Sequence, residues 1–209
     1  MQKSHARILG VLFILPFMAY GTGSGILDSL ITDTTFLQNP DLFRFNFHIA
    51  ALLVFLNSLL VFAIGIYFYE TLKTIDEKLA LLYLSVRLLE GVLLIVGIIF
   101  LNQLFAISDE GGEYKAIQSA ILIAHQAAYL WAMLILALGS LPVIYTLLKR
   151  GLLPGFLGFW GLIGYFLLGV GMIGEILGFY TSVIFSIPGG LFEIALGIFF
   201  LREGFRKKV

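Results

Sequence analysis

The chain has 209 residues, of which 60% are hydrophobic and only 12% charged, whereas a soluble domain carries about 25% charge. Formal net charge is zero, so bulk charge gives no reason to expect nucleic acid. There is no cysteine, which excludes disulfides, thiolate catalysis and cysteine metal sites.

Apolar runs of about 20 residues can cross ~30 Å of hydrocarbon. Six occur, and they predict an all-α polytopic membrane protein: six transmembrane helices in one bundle, a single domain over 1–209. The first run is Ile8–Ile31. Lys3 and Arg7 precede it and small residues follow, as in a signal peptide. Apolar character resumes at Ile26-Leu27, so the reading is a retained span. Gly21, Gly23 and Gly25 predict a locally irregular helix there.

The second run, Phe47–Tyr69, carries His48 at its start and Asn57 near mid-membrane. The third, Leu79–Phe105, contains Arg87 and Glu90 and closes on Asn102-Gln103. The fourth, Ile117–Leu148, contains His125 and Gln126, and Pro142 is expected to kink or shorten it. In the fifth, Pro154–Phe179, Gly155, Gly158, Gly161 and Gly164 recur every three residues. That stripe suits close helix packing, in a central position or at a homo-oligomer interface. Glu175 lies near its outer end. The sixth, Val183–Leu201, has a Pro188-Gly189-Gly190 break and then Glu193.

Lys and Arg set the orientation. With the N-terminus in the cytoplasm, ten of them fall inside: Lys3, Arg7, Lys73, Lys78, Lys149, Arg150, Arg202, Arg206, Lys207 and Lys208. Only Arg44 and Lys115 fall outside, beside Asp33, Asp41, Asp109, Glu110 and Glu113. Both termini are therefore expected in the cytoplasm.

Charge at membrane depth costs roughly 2.5–3.5 kcal/mol per residue on insertion scales, so it normally faces the protein interior with a partner. Arg87 and Glu193 each lie about eight residues, or roughly 12 Å, from the cytoplasmic ends of their spans. Equal depth and opposite charge predict an ion pair. Glu90, three residues on from Arg87, shares its helix face. One cation against two carboxylates leaves an acid in surplus. Either the group is a buried salt bridge fixing helix register, or a carboxylate, Glu90 first, responds to a proton or ligand.

A second polar group, His125, Gln126, Glu175 and His48, lies toward the outer side and is expected to line a cavity. Blander readings stand beside it. His48 suits the interface, His125 and Asn57 suit helix–helix hydrogen bonds, and Glu175 suits a solvated rim. Haem ligation by His48 and His125, or a metal held by both with Glu175, is conceivable but has no motif spacing behind it. No metal or cofactor is therefore assigned. No nucleophile elbow, H-E-x-x-H or Walker loop occurs, so no catalytic residue is assigned either.

Several patterns occur in order. They are Arg7-Ile8-Leu9-Gly10-Val11-Leu12-Phe13, Arg87-Leu88-Leu89-Glu90, His125-Gln126-Ala127-Ala128-Tyr129, Gly151-Leu152-Leu153-Pro154-Gly155-Phe156-Leu157-Gly158 and Glu193-Ile194-Ala195-Leu196-Gly197-Ile198-Phe199. Together they resemble the bacterial multi-pass family catalogued as domain of unknown function 4386, over essentially the whole chain. Gly155 departs from the basic residue expected after Pro154. The resemblance implies six spans in a bacterial inner membrane, with Arg87, His125 and Glu193 as family polar positions, and implies no activity.

The functional expectation is a non-enzymatic protein that binds a small ligand or ion in a polar interior, as carrier or sensor, among membrane lipids. The alternatives are an intramembrane enzyme acting on a lipid or quinone through His125 and Glu175, or an accessory subunit with a tightly packed interior.

Overall fold

The structure is a computed structural model that describes residues 3–106, 112–179 and 182–204. Asp109, Glu110 and the basic tail Arg206, Lys207 and Lys208 lie outside the described residues, as do the side chains of Lys3 and Glu113. Among the described residues there are helices and no strand. The helices are α1 (Lys3–Ile31), α2 (Thr34–Gln38), α3 (Arg44–Leu72), α4 (Glu77–Asn102), α5 (Gly112–Lys149), α6 (Gly155–Ile176) and α7 (Ser182–Arg202). All except the short α2 are long and apolar enough to cross a membrane. Hydrocarbon leaves a backbone no water to bond, so each long run closes its hydrogen bonds within one helix.

The helix ends follow local chemistry. Asp76 caps α4 by accepting from Leu79 N at 3.1 Å. At the end of α5, Gly151 takes φ 67°. Leu152 N then reaches back to Leu147 O at 2.9 Å. Gly178 repeats the device after α6 with φ 90°, a backbone region that side chains other than glycine disfavour.

Two expected interruptions and one expected shortening are absent. α1 runs unbroken through Gly21, Gly23 and Gly25. Gly23 serves packing instead, because a Cβ there would stand 2.9 Å from Ala50 O on α3. α7 continues through Pro188-Gly189-Gly190. Pro188 keeps a carbonyl, which accepts from Trp160 Nε1 at 3.1 Å, while Gly189 lies against the Gly164 backbone. α5 passes Pro142 and ends only at Lys149. In each case the cost of Gly or Pro is small beside that of open backbone in lipid.

The six long helices pack in chain order, α1 on α3, α3 on α4, and so on to α7, which closes the ring on α1. Two apolar cores fill its two ends. One gathers Leu9, Phe13, Phe68, Leu147, Leu196 and Phe200. The other gathers Leu27, Phe36, Phe47, Leu101, Leu104 and Ile121. Tyr129 and Met133 border both cores. Outward faces are apolar: Phe156, Phe159, Ile163 and Phe166 of α6 are all exposed. A surface of this kind requires lipid, and the chain is an integral, multi-pass membrane protein.

Most of the glycine stripe of α6 is used within the chain. A Cβ at Gly158 would meet Leu148, one at Gly161 the Phe192 ring, and one at Gly164 the Gly189 backbone. Gly155 has open space around it.

Candidate functional site

Arg87 is the largest fully buried side chain, 1% exposed. Gly65 of α3 makes room for it, because a Cβ there would stand 3.0 Å from Arg87 Cβ. All three guanidinium nitrogens donate: Nε to Tyr83 Oη at 2.9 Å, Nη1 to Glu90 Oε2 at 3.0 Å and Nη2 to Glu193 Oε1 at 2.6 Å. The Tyr165 hydroxyl donates to the same Glu193 oxygen at 2.6 Å. The Phe13 and Tyr83 rings face the guanidinium at 5.7 and 5.3 Å, adding cation–π attraction. Desolvation of the ions is thus offset by charge-assisted bonds from all three guanidinium nitrogens. The second oxygens, Glu90 Oε1 and Glu193 Oε2, have no hydrogen bond among the described residues.

Glu90 and Glu193 form part of the wall of a cavity of about 430 Å³ between the two cores. Every long helix contributes to it: Tyr20 from α1, Asn57 from α3, Glu90 from α4, Tyr129 from α5, Tyr165 from α6 and Glu193 from α7. Arg87 is not part of this lining. It stands behind the carboxylates, so the cavity is presented with acceptors. Asn57 is 3% exposed and lines the same space, and its side chain has no hydrogen bond among the described residues.

A second cavity, of about 220 Å³, is lined by Ser24 and Asp28 of α1, Gly97 of α4, and His125 and Gln126 of α5, among others. His125 Nδ1 donates to Gly97 O at 3.1 Å. Asp28 acts on His125 electrostatically. Tyr20, Leu94 and Tyr129 line both cavities and so separate them. The two tyrosine rings are stacked, with centroids 6.2 Å apart and planes 12° from parallel.

The outer polar residues are thus only partly gathered. His125 and Gln126 share the smaller cavity, while Glu175 and His48 line neither. Glu175 acts on Tyr129 electrostatically. His48 is exposed, donates from Nδ1 to Arg44 O at 2.6 Å and lies against Phe105. Among the described residues no three His, Asp or Glu side chains are grouped to hold a metal ion. Residues missed from the sequence are Asp28, Tyr83 and Tyr165. Tyr83, four positions before Arg87, could have been found by helical spacing. Asp28, a carboxylate inside the first apolar run, could have been found by composition alone.

A model of one protein family matches residues 8–204, from the start of α1 to the end of α7. The chain belongs to that family, described as Domain of unknown function (DUF4386). No curated protein and no solved structure matches the chain. The DUF4386 match takes in all six long helices and both cavities, so they belong to one family unit.

Proposed function

We propose that this DUF4386 protein binds a small ligand or ion in the larger cavity, as a carrier or sensor. The observation that carries this is the 430 Å³ space itself, lined by all six long helices with Glu90 and Glu193 on its wall. Ligand sites are commonly about 300–1,000 Å³, mostly apolar, with a few placed polar groups. An accessory subunit with a tightly packed interior has no use for such a space. An enzyme working through His125 and Glu175 has less support, because Glu175 lines neither cavity. The Lys and Arg distribution supports cytoplasmic termini, and the family resemblance a bacterial inner membrane.

Native mass spectrometry on mildly extracted protein tests the proposal. The chain should carry a non-protein mass, and filling the cavity by Val61→Phe should remove it. A bare mass for the unaltered protein, or an adduct that survives Val61→Phe, counts against the reading.

A further inference from the structure

The proposed cavity borders the side of the bundle. Its lining includes Phe17 and Gly21 of α1 and Ile187, Gly190, Leu191 and Ile194 of α7, the two helices that close the ring. Ile187 is 54% exposed and Leu191 51% exposed. Gly21 is exposed as well, with nothing within 4 Å of a Cβ placed on it. The same residues therefore face both the cavity and the outer surface of the bundle. That surface is lipid at this position, near the middle of α1 and α7. The cavity wall at the α1–α7 seam is thus formed in part by residues that are also exposed on the lipid-facing side.

The chemistry at the inner end is equally specific. One guanidinium serves two carboxylates, and each carboxylate keeps an oxygen free of hydrogen bonds among the described residues. Tyr20, Tyr129, Tyr165 and Ser186 also line the cavity, as does Asn57, whose side chain has no hydrogen bond among the described residues. The Asn57 amide opens onto the cavity, whereas Ser140 Oγ is the sealed side-chain polar atom without a partner among the described residues. Two carboxylates against one guanidinium leave an acid whose ionisation in low dielectric is costly without a second cation. A ligand that supplies hydrogen-bond donors and one positive charge removes that cost. An anionic head adds to the negative charge, and a purely acceptor head can bond the Asn57 NH2 but not the carboxylate oxygens.

We infer that the ligand is a lipophilic amine, whose apolar body passes between α1 and α7 while its ammonium binds Glu90, Glu193 and Asn57. The inference rests on the proposed ligand-binding reading and names the class of ligand and its route.

Three probes of equal chain length test it on the whole protein in lipid nanodiscs: dodecyldimethylamine, dodecanol and laurate. Native mass spectrometry counts the bound molecules, and a time course gives association. The amine should bind one per chain, at least about ten-fold tighter than either of the others. Glu90→Gln should weaken the amine by about ten-fold or more and leave dodecanol unchanged. Where Glu90→Gln does not fold, Asn57→Leu should weaken the amine in the same direction. Gly21→Leu, placed where a Cβ meets nothing within 4 Å, should slow amine association without lowering Tm.

Laurate or dodecanol binding as tightly as the amine would overturn the ligand class but keep the cavity. Unchanged association in Gly21→Leu would overturn the lateral route. Binding of none of the three probes, with no co-purifying mass, would remove the ligand-binding reading as a whole.

Discussion

Arg87 and Glu193 stand 106 positions apart in the chain, yet Nη2 of one lies 2.6 Å from Oε1 of the other. This contact ties α4 to α7 across the ring, for the two helices are not neighbours in its packing order. Tyr165 extends the link to α6. Removing one partner leaves the other charge buried, which typically costs about 3–5 kcal/mol. Arg87→Ala and Glu193→Ala should each lower Tm in detergent, and the double variant should lose less than the sum. Strict additivity would show that the contact carries no coupling energy. Arg87→Lys should also destabilise, because an ammonium cannot reproduce the three-way fork.

Glycines at two places on α1 should respond oppositely to alanine. At Gly10 a Cβ would stand 2.6 Å from Gly197 O and 2.6 Å from Leu201 Cγ, pressed against the backbone of α7. Overpacking of this kind costs about 1–3 kcal/mol. At Gly21 nothing lies within 4 Å, so alanine should be neutral or stabilise by up to about 1 kcal/mol through helix propensity. Thermal unfolding of Gly10→Ala and Gly21→Ala side by side decides this. A larger loss at Gly21 would count against the lateral route inferred at the α1–α7 seam.

The helices themselves were readable from apolar run length, and the depth of Arg87 and Glu193 followed from counting residues at helical rise. The rotation of each helix about its own axis was not readable. Tyr165 reaches Glu193 only because α6 turns that face to α7, and no periodicity in a span apolar all round reports this. For the same reason the sequence groups Glu175 with His125 by depth alone, whereas of the two only His125 lines the smaller cavity. The breaks expected at Gly21 to Gly25 and at Pro188 follow from the residue types alone. In lipid, backbone hydrogen bonding outweighs them.

Topology can be tested with thiols, since the natural chain has no cysteine. A single cysteine placed among residues 109–113 should react with a membrane-impermeant maleimide in intact cells. One placed at Thr74, between α3 and α4, should react only after permeabilisation. The reverse pattern would invert the orientation drawn from Lys and Arg.

The last prediction concerns the stacked pair Tyr20 and Tyr129. These rings and Leu94 are the side chains common to both cavities, so they separate Asp28 and His125 on one side from Glu90 and Glu193 on the other. Aromatic pairs of this geometry contribute about 0.5–1.5 kcal/mol beyond burial, a stabilisation small enough for the partition to open without unfolding the bundle. Val61 lines the larger cavity and Ser24 the smaller. In single-cysteine proteins, Ser24→Cys should react with a charged methanethiosulfonate added from the side of the smaller cavity. Val61→Cys should react slowly, because the inferred lateral route leads only to lipid, where a charged reagent does not partition. Adding Tyr20→Ala should join the two spaces and raise the rate at Val61→Cys while leaving Ser24→Cys nearly unchanged. Equal rates at Val61→Cys with and without Tyr20→Ala would mean that the two rings do not control passage between the cavities.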